Sequence, residues 1–351
     1  MSCLVRAIVL PEYPLNCWWV AATSVEVNRE PLARRLLGRN VVLFRSERGA
    51  VIALEDRCPH RGAPLSRGRV LGDVIACSYH GLRFDGTGHC VHIPTQDHIP
   101  PAMTTAAWPT VEQGPFVWIW MGEASKADPA KLPRINWSTD PADMRFASYC
   151  VKQFAWDSLH ENFMDLPHIF FLHNREKDWL GYGDSPQALQ SVTTLEETPH
   201  GLVRTTRQVN SDPLALDMKT LGMEKGQKVD CVDTVYFLPP GCYVHEEACE
   251  WASGTYGFQG VHCTTPISAG SCHWWWVYAY DYGHGSLEEY KARWDKVLGE
   301  EDADLLEAMQ VAKEQDAARG RPSEILVLAD QAPMRVRRIL AELVAAERNG
   351  R

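Results

Sequence analysis

The chain of 351 residues lacks an apolar run of about 18 residues, the length that a membrane-spanning helix requires. Its first ten residues hold one arginine and lead into no apolar segment with a small-residue cleavage site, so no secretory signal is predicted. Lysine and arginine form no sustained block, and the formal net charge of −10 disfavours nucleic acid or an anionic membrane as the main partner. We therefore expect a cytoplasmic globular protein that acts on a small molecule.

A dinucleotide-binding loop is also missing, because no Gly-x-Gly-x-x-Gly follows a predicted strand. The chain itself is therefore not expected to bind NAD. The eleven cysteines are an odd number in a long chain, which disfavours a disulfide framework. Two of them belong to the motif described next, and we expect the other nine to be reduced thiols in or near the core.

Two short segments each contain one cysteine and one histidine, Cys58-Pro-His60 and Cys77-Ser-Tyr-His80. In a [2Fe–2S] centre of the Rieske type, two cysteines bind one iron and two histidines bind the other. A tetrahedral zinc site uses the same four side chains, but its usual spacing places cysteine near cysteine and histidine near histidine. The spacing therefore favours a Rieske cluster over a zinc site.

Short apolar segments separated by turn residues predict a small all-β domain in the first part of the chain, with the Cys-His loops at its tips. A polar segment that contains prolines, from Glu123 to Asp143, predicts a boundary, so we divide the chain into domains 1–125 and 126–351. The predicted strands of the first domain include Val41–Arg45, Ala50–Leu54 and Phe116–Trp120.

The second domain is predicted to be α+β, an antiparallel sheet with helices gathered on one face. Long loops between about Asn174 and Gly260 are expected to shape the substrate pocket. A capping box at Ser286 predicts a helix start, and Gly299 predicts its end. Helices are further predicted at Ala155–Asp165, Asp304–Ala318 and Met334–Glu347, and strands at Thr193–Leu195, Leu202–Gln208, Thr234–Phe237 and His273–Tyr280.

A second metal site is indicated by His168 and His173, which lie in a segment rich in apolar residues. Non-haem Fe(II) oxygenases bind iron through two histidines and one carboxylate, with open positions opposite. On an ideal helix, five residues turn the chain by about 500°, which leaves these side chains roughly 140° apart. Pro167 predicts the necessary break, because it disfavours a helical conformation at the residue before it.

Asp165 and Asn162 precede His168 at intervals of three residues. On a helix they would lie on the same side as His168, where they can hydrogen-bond to metal ligands. The alternative is that both histidines are satisfied core residues of an aromatic segment. A high-potential cluster in the same chain disfavours this alternative, since its electrons require an acceptor.

The two motifs, in this order, resemble the α-subunits of Rieske non-haem iron oxygenases. The segment Asn162-x-x-Asp165-x-x-His168-x-x-x-x-His173 matches the iron-site pattern of that family. The length and the Glu-Asp pair at 301 and 302 are most similar to the compact oxygenases typified by vanillate O-demethylase and dicamba monooxygenase. The resemblance implies an N-terminal all-β Rieske domain followed by a catalytic domain of the helix-grip type.

The resemblance also implies the remaining parts of the site. Asp302 would be the third ligand of a mononuclear Fe(II), with Asp304 as its local competitor. Asp165 would bridge the iron ligand His168 and a cluster histidine, His80, of a neighbouring subunit, so the resemblance implies a homotrimer. Electrons would come from an NAD(P)H-dependent reductase, directly or through a ferredoxin, and O2 would be the co-substrate.

By the same resemblance, the activity would be hydroxylation or O-demethylation of a small aromatic or related organic substrate, the latter with release of formaldehyde. Two alternatives remain: a ring-hydroxylating dioxygenase that forms cis-dihydrodiols, and a Rieske electron carrier without oxygenase activity. The aromatic run His273–Tyr278 is a candidate pocket wall, with His273 or His245 orienting a polar group. Alternating aromatics on a sheet are more often core residues.

Overall fold

The computed structural model describes residues 13–137, 144–165, 167–173, 192–213, 221–224, 226–281, 287–321 and 324–349. The chain forms two compact units, Met1–Leu132 with Thr265–Ala269 and Leu343–Arg351, and Pro133–Thr264 with Gly270–Glu342. None of the helices in the described ranges is both long enough and apolar enough to cross a membrane.

The N-terminal part of the first unit is all-β, as predicted, and the structure describes three small sheets in it. Their strand orders are β1-β11-β10, β2-β3-β4-β9 and β5-β6-β7-β8, and the paired strands are antiparallel. The strands are β1 (Trp18–Thr23), β2 (Leu32–Leu36), β3 (Arg39–Arg45), β4 (Val51–Glu55), β5 (Arg69–Leu71), β6 (Val74–Ala76), β7 (Arg83–Phe84), β8 (Cys90–His92), β9 (Ala107–Trp108), β10 (Thr110–Gln113) and β11 (Phe116–Trp120).

The second unit contains a seven-stranded sheet in the order β12-β18-β17-β16-β15-β14-β13. Phe163, Tyr290 and Trp294 pack from the helices onto the sheet face that carries Trp274, Tyr278 and Tyr280, so the predicted one-sided arrangement is confirmed. The strands are β12 (Met144–Lys152), β13 (Val192–Thr198), β14 (Gly201–Ser211), β15 (Val229–Leu238), β16 (Cys242–Trp251), β17 (Gly254–Ser268) and β18 (Ser271–Tyr280). The helices are α1 (Ser158–Met164), α2 (His168–Leu172), α3 (Leu287–Lys296), α4 (Ala303–Ala318) and α5 (Gln331–Asn349).

The described part of the range between Asn174 and Gly260, where long loops are expected, consists mostly of strands. Strands β13 to β16 and the first half of β17 occupy it. Strand β16 mixes buried apolar residues with partly exposed glutamates, so its sequence carries a weak strand pattern that its two paired neighbours stabilise. The expectation of long loops stays a prediction, because residues 174–191, 214–220 and 225 of this range lie outside the described part of the chain.

Gly299 does not end a helix, contrary to the prediction. A π-helical segment, Val297–Asp302, continues from α3 and leads directly into α4. The Gly299 carbonyl accepts a hydrogen bond of 2.5 Å from the Lys152 ammonium group, so a partner outside the helix satisfies it. The predicted capping residue Ser286 lies outside the described residues.

The expectation that nine cysteines are reduced is wrong for Cys231 and Cys249, which form a disulfide. These residues lie directly opposite each other on the antiparallel pair β15 and β16, with their Cα atoms 4.1 Å apart. Adjacent strands therefore bring the two thiols together, although 18 residues separate them in sequence.

Candidate metal centres

The two Cys-His loops of the first unit have the same backbone conformation. In each loop, the cysteine N–H bonds to the carbonyl five residues ahead, and the glycine four residues ahead bonds back to the cysteine carbonyl, at 2.8 to 3.0 Å. These glycines, Gly62 and Gly81, have φ values of +75° and +73°, a left-handed conformation that glycine adopts at little cost. The repeated turn gives each loop a cysteine at its base and a histidine near its tip.

The cysteines of these loops are buried, whereas the histidines are exposed. Cys58 and Cys77 belong to the core cluster beneath the loops and are in contact with each other. The His60 and His80 rings lie at the surface with centroids 4.6 Å apart. This separation into a buried cysteine pair and an exposed histidine pair fits a cluster in which each pair binds a different iron.

A single zinc ion fits these four residues less well. Zinc ligands converge on one point about 2.0 to 2.3 Å away. Among the described residues, the Cys-His loops do not gather three ligand atoms within 4.8 Å of one another, while a group in the second unit does. Burial raises the pKa of the Cys58 thiol to about 11, so metal binding would be needed to hold it as a thiolate at neutral pH.

The group in the second unit consists of His168, His173 and Asp302. Helix α1 ends at Met164, and the extended backbone of Asp165 (ψ 95°) turns the chain before Pro167 caps α2. His168 is therefore the first residue of α2, and His173 follows its last residue. The predicted helix break at Pro167 is confirmed, while Leu166 itself lies outside the described residues.

The ligand atoms of this group converge. The Nε2 atoms of His168 and His173 lie 3.6 and 3.4 Å from Oδ1 of Asp302, and the two ring planes are inclined by 73°. Ligands bound at about 2.0 to 2.2 Å to one metal lie roughly 3 Å from one another. The two histidine–carboxylate distances are therefore close to those between ligands that share one small metal ion.

The other nitrogen of each histidine ring is already occupied. His173 Nδ1 lies 2.9 Å from the Glu301 carboxylate, and His168 Nδ1 hydrogen-bonds to the Asp165 carbonyl oxygen. Because carboxylate and carbonyl oxygens accept, both rings donate Nδ1–H and leave the Nε2 lone pair facing Asp302. Burial lowers the pKa of His168, which favours the neutral ring that a metal requires.

Asp302 is placed by the π-helical segment that the sequence did not predict. Its side chain is buried and accepts a hydrogen bond of 3.1 Å from the Asn162 amide, whereas Asp304 is exposed. Single π-helical turns occur often at functional sites, and this one carries both Glu301 and Asp302. Glu301 is not among the predicted site residues, although its position beside Asp302 indicates a place near the metal-binding group.

Asp165 lies at the open edge of this group. Its carboxylate Oδ2 is 4.0 Å from His168 Nδ1, and its side chain is 36% exposed. Burial nevertheless raises the pKa of this carboxyl group. A cavity of about 360 Å³ opens here, lined by Asp165, His168, Asp302 and the apolar side chains of Leu305, Met309, Ile325, Leu326 and Met334.

The two candidate pocket histidines lie on different faces of the sheet. His273 bonds to the Tyr149 hydroxyl at 2.9 Å and stacks on Trp275, so it lies opposite the face that contacts α1. His245 lies on the same side as Phe258, which contacts Tyr278 and Trp294 on the helix-covered face. Of the two, only His245 therefore faces the helices that carry the metal-binding group.

Comparison with known proteins identifies both units. A family model described as the Rieske [2Fe-2S] domain matches residues 17–107, and the vanillate O-demethylase oxygenase C-terminal domain matches residues 153–346. The iron-sulfur subunit of the toluene-4-sulfonate monooxygenase system of Comamonas testosteroni is 32% identical, over 95% of this chain and 98% of that subunit. The oxygenase component of dicamba O-demethylase from Stenotrophomonas maltophilia is 30% identical over the same shares of the two chains.

The fold agrees with these sequence matches. The crystal structure of dicamba monooxygenase bound to 3,6-dichlorosalicylic acid superimposes with a TM-score of 0.88 at 27% identity, over 96% of this chain and 99% of that one. Proteins of this type carry a Rieske cluster and a non-haem iron and receive their electrons from a separate partner component. The chain therefore belongs to the Rieske non-haem iron oxygenases and is an oxygenase component of the vanillate O-demethylase and dicamba monooxygenase type.

Proposed function

We propose that Cys58, His60, Cys77 and His80 hold the [2Fe–2S] cluster and that His168, His173 and Asp302 hold the mononuclear iron of a monooxygenase that hydroxylates or O-demethylates a small aromatic substrate. The convergence of two Nε2 atoms and one buried carboxylate oxygen supports this assignment most directly. Such a site has no use in a simple electron carrier.

When bound, the mononuclear iron would supply the activation of O2. The residues of this chain hold and orient that iron. Glu301 and the Asp165 carbonyl fix the two histidine rings, and Asn162 orients the Asp302 carboxylate. Partners of this kind set the tautomer and the basicity of the ligands, and their loss typically costs about 10- to 100-fold in metal affinity or activity.

The first test is the metal content of the purified protein. We expect a red-brown protein with two irons and two acid-labile sulfides in the cluster, plus one further iron that a chelator removes while the visible spectrum persists. With a surrogate reductase and methoxylated aromatic acids, formaldehyde should be released. A colourless protein that contains zinc would contradict the proposal.

We further propose that the chain functions as a homotrimer. Exposed apolar side chains line part of the cavity beside Asp165, next to the ion-paired residues Glu161, Lys313, Glu324 and Arg337. Ile325 and Leu328 are 92% and 87% exposed, and Leu305, Met309 and Met334 are each more than a third exposed. Apolar side chains gathered around a site mark a surface that another protein covers. A second copy of this chain would cover these apolar side chains and bring its own cluster to Asp165.

The surface predicts the effect of one charged substitution. Ile325→Glu should dissociate the assembly, because a buried carboxylate without a partner is strongly unfavourable in an apolar interface. Gel filtration should show monomers, and turnover should fall by more than about 10-fold while both metals remain bound. Val209→Glu is the matched control, because Val209 is 75% exposed on β14 and does not line the cavity. Equal assembly and turnover in wild type and Ile325→Glu would contradict the trimer.

Three further points belong to the proposal: the domain boundary, the source of the electrons and the location of the protein. The matched family domains end at residue 107 and begin at residue 153, which supports a functional boundary near the predicted division between 1–125 and 126–351. The electrons originate from NAD(P)H through a reductase or ferredoxin. We propose a cytoplasmic location, where that coenzyme is present.

A further inference from the structure

Three polar side chains form a connected group on the helix-covered face of the large sheet. Arg204 on β14 and His245 on β16 both lie opposite Val235 in the strand register, and Asp233 is two residues from Val235 on β15. Because alternate residues of a strand share a face, all three side chains project to the same side. Of the three, only His245 is a candidate pocket residue from the sequence.

The three side chains are joined by hydrogen bonds. Nη2 of Arg204 donates to Oδ1 of Asp233 at 3.2 Å, and Oδ2 of Asp233 accepts a hydrogen bond from Nε2 of His245. Both oxygens of the Asp233 carboxylate are therefore used. His245 fixes the Asp233 carboxylate, and that carboxylate fixes the guanidinium group of Arg204. Hydrogen-bond partners of metal-binding side chains fix their orientation in the same way.

The guanidinium group itself is not satisfied. Arg204 is only 3% exposed, and its Nε and Nη1 atoms have no hydrogen-bond partner in the described part of the chain. The large majority of buried side-chain polar atoms in proteins are hydrogen-bonded, and a guanidinium group offers five N–H donors. A purely structural ion pair with Asp233 would leave most of these donors unused.

The group lies on the same side of the sheet as the proposed iron site. The ring centroid of Phe163 on α1 lies 5.3 Å from that of Tyr243 and 4.2 Å from that of His262, both on that face. The residue before Phe163, Asn162, hydrogen-bonds to Asp302. Burial lowers the pKa of Arg204, while Asp233 and then Asp165 raise it, so the guanidinium group is within electrostatic range of Asp165. The flanking inward residues, Val235 and Phe237, are apolar and buried.

We propose that Arg204, positioned by Asp233 and His245, binds the carboxylate or sulfonate group of the substrate, so that the enzyme selects aromatic acids over neutral aromatic compounds. The inference rests on the proposed function, because it concerns the substrate of that site. Guanidinium groups bind such oxyanions through charge-assisted hydrogen bonds. An apolar wall with one charged anchor also orients an aromatic ring, since only one end of the ring can face Arg204.

The test compares acids with neutral analogues of the same shape. Calorimetric titration of the holoenzyme would use benzoate against benzamide and toluene-4-sulfonate against toluene-4-sulfonamide. Wild type should bind at least one acid more tightly than its amide. Arg204→Gln should weaken binding of that acid by about 10- to 100-fold and leave binding of the amide unchanged. Arg204→Lys, which keeps the charge, should weaken it by a smaller factor.

The outcomes separate the inference from a structural role. If Arg204→Gln fails to fold, the comparison of acid and amide binding in Arg204→Lys decides. Two results would overturn the inference. The first is a wild type that binds neither acid more tightly than its amide. The second is a set of variants in which the affinities for acid and amide fall by the same factor and the thermal midpoint falls as well. Iron and sulfide are measured on the same samples. A protein that holds both metal centres but does not prefer acids overturns only the role of Arg204. A protein that lacks the metal centres overturns the proposed function.

Discussion

Replacing Asp302 with alanine is expected to abolish product formation and to release the mononuclear iron, while the visible spectrum of the cluster stays unchanged. Asp302 is the only carboxylate that touches both histidines in the described part of the chain, with Oδ1 at 3.6 and 3.4 Å from their Nε2 atoms. Loss of groups that merely support metal ligands costs about 10- to 100-fold, so loss of a ligand should cost at least about 100-fold. Product release per cluster and chelator-accessible iron are the two measurements.

Asp304→Ala is the matched control, because it removes an acidic residue from the same part of the chain. Asp304 is exposed in the first turn of α4 and does not belong to the group of ligand atoms formed by His168, His173 and Asp302. This variant should keep its iron and most of its turnover. Iron lost from Asp304→Ala and retained by Asp302→Ala would show that the third ligand is wrongly assigned, and loss of cluster colour in either variant would mean that the two centres are not independent.

The sequence predicted the histidine pair better than it predicted the carboxylate. His168 and His173 lie in one short segment, and Pro167 explains how a five-residue interval can serve one metal. Asp302 is distant in sequence, and only the resemblance to a family indicated it. The reason is physical: a π-helical turn, formed inside a continuous helical stretch, turns Glu301 and Asp302 toward the histidines, and no local sequence pattern marks such a turn.

The same limit applies to the large sheet. Strands with strong apolar patterns, such as β18, were predicted, whereas β12, β16 and β17 were not. Strand β16 carries partly exposed histidine and glutamate side chains, so only its pairing with β15 and β17 gives it an extended conformation. Arg204 was missed for a related reason, since a charged residue within a strand is normally read as exposed, and only the structure shows that it is buried.

Replacing Asp165 with asparagine should slow electron transfer to the iron without removing either metal. In the proposed trimer, Asp165 links the two subunits: its carbonyl oxygen accepts the Nδ1–H of His168, and its carboxylate accepts a hydrogen bond from His80 of a neighbouring subunit. Either carboxylate oxygen can accept the N–H of His80, whereas the amide of asparagine has one accepting oxygen and an NH2 group that would face this donor. After the prereduced enzyme is mixed with O2 and substrate, reoxidation of the cluster should be at least about 10-fold slower than in wild type. The visible absorbance of the cluster measures this rate.

The structure explains why the iron should remain in this variant. His168 Nδ1 bonds to the main-chain carbonyl of Asp165, which the substitution keeps, while the carboxylate oxygen lies 4.0 Å away and the side chain is 36% exposed. The main chain of Asp165 therefore holds the iron ligand, and its side chain is left to reach outward. Gel filtration must show an unchanged assembly, since dissociation would slow transfer for another reason. A trimeric Asp165→Asn variant with normal cluster reoxidation would exclude the bridging role and require a different electron path between subunits.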